Sequence, residues 1–410
     1  MRFCVCSRLR ISEKKSVAAR DGPPPDPMNT TRFIVAQNRG RDPMLLAVKW
    51  AKMRSGAFAF YRGAAPLFYH TWARVAPGGA PLSWISGDAH LENLGSYKGS
   101  NRVPYFDIND FDECCLAPAD WDLGRALSAL LIVGKRDMAR LFLASYAATL
   151  AGGKPGHIEP EVARGPIAVL LSRVAERNRK DFLHKWTTKG KIRSRPGHLY
   201  RLRRAVKARA RRIFEAWARR QPDRAFYSVI DLCGRIAGDG SLGLERYVFL
   251  VRGKRQPFVL DMKAAAHAAP VRHLHVRQPP WRTEAERVAT VQHFMQYVPV
   301  ARLSWIGTAP VSYIVHELEP IDDRIDISEL VPSDYEDFVQ QWAHLLASAQ
   351  LRSAGWKGSA DLDTMIAYGQ ALDRRARLRL MKAAAAAAVV QKRAWKEFRA
   401  SGVGKEPIPG

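Results

Sequence analysis

Between residues 82 and 125 the chain alternates short apolar runs with loops dense in acids and amides, and this restricts its fold more than any other feature. Gly87-Asp88-Ala89-His90-Leu91-Glu92-Asn93 comes first, then Asn109-Asp110-Phe111-Asp112-Glu113, then Trp121-Asp122-Leu123-Gly124-Arg125. Val103-Pro-Tyr-Phe-Asp-Ile108 reads as a short extended segment, so Asp110 emerges at its far end, near the first loop. Phosphoryl transfer asks for one carboxylate to take a hydroxyl proton, and for an amide and a carboxylate to hold Mg²⁺ against phosphates. Asp88 fits the first role, with His90 beside it as active-site contact or loop support. Asn93 and Asp110 fit the second; Asp107 rivals Asp110, and Asp112 is a further metal candidate. Asp122 reads as structural, an anchor for the first loop. Asp, Asn and Gly also gather at ordinary turns, because their side chains bond nearby backbone. The order and spacing of three such boxes favour the chemical reading.

A nucleotide site also needs a loop to cradle phosphates and a cation to meet them. Both come later in the chain. Gly238-Asp-Gly240-Ser241-Leu-Gly243 is a G-x-G-x-x-G run, followed by Tyr247-Val-Phe-Leu-Val251, a basic turn at Arg252–Pro257, and Phe258-Val-Leu-Asp-Met-Lys263. A dinucleotide-binding fingerprint requires a helix directly after the glycines, whereas two β-rich runs follow here. Glycines let backbone N–H groups approach phosphates without side-chain obstruction. A plain glycine-rich hairpin is the alternative. Thr283–Gln296 carries a helical stripe of Val288, Val291, Phe294 and Met295, with Glu284 and Glu286 in its first turn. Glu286 is the expected partner of Lys263. Lys49 sits in a helical stretch, Pro43–Met53, and is set aside as a phosphate ligand.

The acidic boxes resemble the catalytic half of the aminoglycoside-phosphotransferase branch of the protein-kinase-like fold. Asp88, His90 and Asn93 match its H-G-D-x-H-x-x-N loop, Asp110 its strand-end aspartate, and Asp122 an aspartate about twelve residues later. Ser86 stands where that loop has its first histidine. The glycine loop between two strands, with a lysine on the next strand, is the kinase arrangement. Phe60, Arg62, Gly63, Ala64 and Ala65 and the first two acidic boxes match the phrases F-x-R-G-A-A, G-D-A-H-x-x-N and F-D-x-N-D-F-D-E. They carry a second resemblance, to the bacterial family named domain of unknown function 2252, which covers most of residues 40 to 355. One departure lies near 350, where Gln350 replaces a histidine and Ala354 is inserted before Gly355. These likenesses imply an α+β, bilobal, protein-kinase-like fold that uses ATP and Mg²⁺. Because the catalytic loops precede the glycine loop and Lys263, the fold is expected to be circularly permuted, which exposed termini and loop tips tolerate.

The expected division is an N-terminal extension over 1–39, partly disordered, with Met28 a possible native start. A helical large lobe over 40–230 holds the catalytic and metal loops. A small β-rich nucleotide lobe follows over 231–330, then C-terminal helices over 331–410. With 410 residues and 47% apolar content the chain can bury a substantial core. Five cysteines form neither a disulfide framework nor a spaced zinc pattern, no run reaches membrane-span length, and no secretion signal is read. A cytoplasmic location follows as the expectation.

Charge is uneven. Of the net +26, residues 173–220 carry 18 basic and 3 acidic side chains, or +15, and residues 373–406 carry 10 against 3, or +7. Residues 200–220 read as a cationic amphipathic helix with Leu202, Val206, Ile213 and Trp217 turned inward. Such a helix suits an anionic partner or is simply a solvated face.

Three function classes remain. One is an ATP- and Mg²⁺-dependent phosphotransferase acting on an unknown small-molecule or protein hydroxyl. Another is a nucleotide-binding pseudokinase or nucleotidyltransferase of the same fold. The last is a basic nucleic-acid-binding protein.

Overall fold

The computed structural model describes residues 29–193, 195–307 and 311–404. What was expected of residues 1–28, including a start at Met28, lies outside the described residues. The remainder is a mixed α+β structure.

Four helices come first: α1 (Thr30–Gln37), α2 (Pro43–Ser55), α3 (Ala57–Gly63) and α4 (Ala65–Val75). Asp42 caps α2 by accepting from the Leu45 N–H at 3.1 Å, and Pro43 presets the first turn. Lys49 therefore sits on a helix, as its surroundings suggest.

Short strands follow: β1 (Leu82–Ile85), β2 (Leu94–Lys98), β3 (Pro104–Ile108) and β4 (Cys115–Pro118). β2 and β3 form an antiparallel hairpin, Leu94 opposite Ile108, while β1 pairs with β4, Ile85 opposite Cys115. These two pairings bring the loops after β1 and after β3 together.

Helices α5 (Asp120–Ile132), α6 (Arg136–Gly152), α7 (Gly165–Ala175) and α8 (Arg179–Trp186) come next. α5 is buried almost all round. An alanine-rich helix far downstream makes this possible by letting two backbones approach closely.

Strands β5 (Thr187–Thr188), β6 (Lys191–Ile192) and β7 (Leu199–Tyr200) lead to α9 (Arg204–Ala218). The chain then builds β8 (Val229–Arg235), β9 (Arg246–Val251), β10 (Phe258–Ala264), α10 (Glu284–Met295), β11 (Ser304–Ile306) and β12 (Tyr313–Leu318). It closes with α11 (Pro332–Arg352), α12 (Leu362–Ala371) and α13 (Arg374–Ala400). Along α13, Ala383, Ala384, Ala387 and Ala388 are buried, and Ser128 Oγ of α5 donates to the Ala384 carbonyl at 3.2 Å.

Six strands form one antiparallel sheet in the order β11-β12-β10-β9-β8-β7. Side chains alternate between its faces. One face, with Phe249, Leu260, Met262 and Val315, packs on Ala210, Phe214 and Trp217 of α9. Leu202, Val206 and Ile213 flank that contact, as the helical period requires. The basic stretch thus covers the back of the sheet. The other face is apolar at one end, where Val248, Leu250, Val259 and Leu318 meet residues of α8. At the other end it carries Arg235, Arg246, Asp261, Lys263 and His316, and these face a cleft above the β1–β4 loops.

Among the described residues no helix is long and apolar enough to cross a membrane. Cys114, Cys115 and Cys233 are free thiols.

Candidate functional site

The floor of the cleft is built by hydrogen bonds that carboxylates accept from the backbone and from a buried cation. Asp122, in the first turn of α5, accepts from the N–H groups of Ser86 at 2.8 Å and Gly87 at 3.0 Å. It anchors the loop as expected, and Ser86 Oγ adds a contact to it at 3.2 Å. Burial pushes the Asp122 carboxyl up to about 6, although the two N–H groups oppose that shift. Gly87 has φ +76°, and a Cβ there would lie 1.9 Å from the Glu113 carbonyl oxygen, so only glycine allows the loop to turn against Glu113.

Asp88 follows. Its Oδ1 accepts from Arg125 Nε at 3.0 Å and Nη2 at 2.8 Å, and its Oδ2 lies 3.4 Å from His90 Nε2. Burial disfavours its ionised form, but His90 and Arg125 outweigh burial and hold the carboxyl far below the usual range. Arg125 is fully buried, with its guanidinium 3.8 Å from the centre of the Tyr61 ring. His90 Nδ1 accepts from the Glu92 N–H at 3.2 Å, which leaves Nε2–H toward Asp88. His90 therefore both supports the loop and contacts Asp88.

Asn93 ties the two acidic loops together: its Nδ2 donates to the carbonyls of Asp88 at 3.0 Å and Asp110 at 3.2 Å. With the amide nitrogen so engaged, its Oδ1 remains the available donor atom. Asp110 Oδ1 accepts from the Asp112 N–H at 3.2 Å. Asp107 does not compete for this place. The alternation of β3 turns it away from the cleft, toward Arg352 Nη2 at 3.5 Å.

Lys263, on β10, brings the sheet to this floor. Its Nζ reaches Asp110 Oδ1 at 3.4 Å and pairs with Asp112 Oδ2. Burial opposes the ammonium, but Asp110 and Asp112 outweigh it and raise the lysine above its usual value. The expected Lys263–Glu286 pair is absent. Glu286 Oε2 accepts from the Arg282 N–H at 2.8 Å, and Thr283 Oγ1 accepts from the Glu286 N–H at 3.1 Å. Thr283 thus caps the α10 N-terminus, and Glu286 folds back onto the residue before the cap, which turns the acid away from the sheet. Val288 and Gln292 of α10 face the cleft instead.

The roof is cationic. Arg246 and Arg235 flank the fully buried Asp261, with Arg246 Nε at 2.9 Å and Arg235 Nη1 at 3.1 Å from its Oδ2. His316 Nε2 lies 3.4 Å from the same atom. Burial disfavours the Asp261 anion, yet Arg235 and Arg246 hold its carboxyl well below the usual range. The glycine loop joins β8 to β9, with Gly238 at φ +79° and Gly243 at φ +91°. Asp239 at its apex meets Arg62 Nη1 at 2.8 Å and Lys52 Nζ at 3.0 Å, while Arg62 Nη1 also reaches Glu92 Oε2 at 2.6 Å.

Asp88, His90, Asn93, Asp110, Asp112, Gly238, Gly240 and Lys263 thus line one cleft of about 1360 Å³. Ser241 and Gly243 line a smaller recess beside it with Arg235, Arg246 and Lys263. Sequence reasoning assigned no role to Arg62, Arg125, Arg246 or Asp261. For Arg125 a signal existed, since it follows Asp122 by three residues on one helix and so shares its face.

A model of the family described as an uncharacterized protein conserved in bacteria (DUF2252) matches residues 41–401. No curated protein and no solved structure matches the chain. The match spans the floor, the roof and the helices around them, and the chain belongs to the DUF2252 family.

Proposed function

We propose that the protein is an ATP- and Mg²⁺-dependent phosphotransferase with a circularly permuted, bilobal, protein-kinase-like fold, acting on a small-molecule or protein hydroxyl. One observation carries the reading: Lys263 meets Asp110, 153 residues away in sequence, and Asp112 beside it, in the cleft that Asp88 and Asn93 also line. The order strand, glycine loop, strand, lysine-bearing strand and helix supports it, since kinases arrange their phosphate loop and lysine that way. The volume supports it as well, being larger than the roughly 300–1,000 Å³ of an ordinary single-ligand pocket.

The donor set fits Mg²⁺. Asn93 Oδ1 and the carboxylates of Asp110 and Asp112 are hard oxygen ligands, and the Lys263 ammonium already places positive charge between the two acids. Among the described residues no group of three or more His, Cys, Asp or Glu side chains is arranged to hold a metal alone. A cation here would complete its shell with phosphate oxygens and water. When bound, Mg²⁺ would neutralise charge between the phosphates. In this reading Lys263 anchors phosphate oxygens, the glycine loop offers backbone N–H groups, and Asp88 orients the acceptor hydroxyl and takes its proton.

A second reading rests on Asp88 itself. Two hydrogen bonds from Arg125 stabilise its anion and make it a weak base. That favours a nucleotide-binding pseudokinase, or a nucleotidyltransferase that does not need the base. The nucleic-acid reading has less support, because Lys207, Arg209 and Arg211 of α9 are paired with Asp231, Glu245 and Glu215.

Thermal unfolding with ATP, with and without Mg²⁺, tests the proposal. A ligand at 100 times its Kd stabilises the folded state by about 2.7 kcal/mol. The expected result is stabilisation that requires Mg²⁺ in the wild type and is lost in Asp110→Ala. No stabilisation by ATP under any condition would end the nucleotide reading, and stabilisation indifferent to Mg²⁺ would favour the pseudokinase.

A further inference from the structure

The glycine loop is gripped from behind by residues about 190 to 200 positions earlier in the chain. The Gly240 carbonyl accepts from Lys49 Nζ at 2.7 Å and from Arg41 Nη1 at 2.6 Å. Arg41 Nη1 also reaches the Leu242 carbonyl at 2.9 Å, and the Asp42 N–H donates to the Gly243 carbonyl at 3.0 Å. Three carbonyls of one short loop are thus drawn onto the start of α2. In a planar trans peptide the N–H after a carbonyl points the opposite way. The Ser241 and Gly243 N–H groups are therefore turned away from Arg41 and Lys49. Neither has an acceptor among the described residues; the gap they share with Arg235, Arg246 and Lys263 is too narrow for a water molecule, whereas Gly238 and Gly240 of the same loop line the large cleft.

Lys49 is hard to explain as packing. It is 2% exposed, its ammonium is bonded only to the Gly240 carbonyl and to Asn38 Oδ1 at 2.9 Å, and it makes no ion pair among the described residues. Burying such a group is costly, and an apolar side chain of similar length would fill the space without that cost.

We infer that Arg41 and Lys49 are positioning residues for a polyphosphate: by drawing the loop carbonyls onto α2, they fix Gly238 and Gly240 where these line the cleft with Lys263, ready for the phosphate chain of a nucleotide. This rests on the nucleotide reading above. It makes α2 part of the binding apparatus and gives this glycine loop a fixed conformation before any ligand arrives.

The test uses the full chain and three probes: Mg²⁺–ATP, inorganic tripolyphosphate and adenosine, each titrated calorimetrically. Lys49→Met keeps the aliphatic stem and removes the donor; Arg41→Gln changes a residue that solvent already reaches, so it serves if Lys49→Met fails to fold. Either variant is expected to weaken Mg²⁺–ATP and tripolyphosphate about tenfold, the worth of one hydrogen bond to a preset group. Adenosine binding should not change, which a general loosening of the fold would not spare. Equal weakening of all three probes, or none, would overturn the inference. If the wild type binds tripolyphosphate but not ATP, the nucleotide reading falls while the grip is still judged by the variants. A wild type that binds neither would remove both.

Discussion

The floor and the roof of the cleft are held in place by opposite means. On the floor, Asp88, Asn93, Asp110, Asp122 and Arg125 lie within 38 residues of one another and fix each other through buried hydrogen bonds. On the roof, the glycine loop depends on Arg41, Lys49 and Arg62, and Lys263 depends on acids of the floor. The side chains of the floor are therefore fixed mainly by partners close in sequence, with Arg287 of α10 bracing the Asp112 and Cys114 carbonyls, while the roof takes its shape from distant elements. Damage to the floor should be felt as lost chemistry or lost stability. Damage to the roof should be felt first as lost affinity.

The largest effect expected from breaking that contrast is on turnover. Asp88→Asn keeps the size of the side chain and one acceptor, so nucleotide binding should persist while turnover falls by about 10²–10⁴, the usual worth of acid–base assistance. Slow ATP hydrolysis is a sufficient assay. Undiminished turnover in Asp88→Asn would remove that residue from the chemistry, and a wild type that binds ATP without turning it over would leave the pseudokinase reading in front.

Asp122→Ala comes next. It strands the buried N–H groups of Ser86 and Gly87, and should lower unfolding free energy in urea by about 2–3 kcal/mol. Lys49→Met should cost affinity without a comparable loss. Similar losses of stability from the two variants would erase the distinction between floor and roof.

Glu113 joins the two walls, since its Oε2 accepts from the Ala269 N–H beyond β10. Burial pushes its carboxyl from the ordinary 4.5 up to about 7. The folded state thus holds this proton more tightly than the unfolded chain. The associated stability is present below pH 4.5 and is lost as pH rises through about 7. Glu113→Gln should abolish that slope, on the order of 3 kcal/mol, in unfolding free energies from denaturant titrations compared across the window. Parallel pH profiles for wild type and variant would show that Glu113 does not titrate there.

The smallest effect is expected behind the roof. Replacing Arg203, Arg204, Lys207 and Arg211 of the α9 region by Gln should move stability by less than about 0.5 kcal/mol, because surface ion pairs such as Lys207–Asp231 contribute little. Retention on nucleic acid should be weak in the wild type and vanish at physiological salt. Sub-micromolar binding under those conditions, lost in the Gln variant, would make α9 a second functional face.

The same contrast explains what was legible in the sequence. The convergence of Asp88, Asn93 and Asp110 on one cleft could be read because it depends on short spacings and on a hairpin that sequence signals announce. Lys263 could be read because a lysine ending a strand after a glycine loop is a local pattern. Arg41 and Lys49 could not, since a lysine on a helix gives no sign that its acceptor is a carbonyl 191 residues away. Lys49 was set aside because its surroundings are helical; they are, and the helix is what delivers it to the loop. Glu286 is not the partner of Lys263, because it turns back to the Arg282 N–H just ahead of the Thr283 cap, and the local demand of a helix terminus outweighs the distant attraction of the lysine. Asp107 was misjudged as a rival ligand because one position along a strand reverses the face.

The grip on the glycine loop is itself seated by α13. Phe398 packs on Trp50 and Phe60 with ring centres 5.7 and 5.5 Å apart, and Thr30 Oγ1 donates to Glu397 Oε2 at 2.8 Å across 367 residues. Contacts between residues so far apart close the longest loops in the chain, and their entropy must be lost before they reward it. In folding time, then, the glycine loop is set only when α13 docks, and the full burial of α5, which carries Asp122 and Arg125 of the floor, waits on the same helix. Pulse-labelled hydrogen exchange should find the Ser86 and Gly87 amides gaining their protection together with those of α2, as α13 docks.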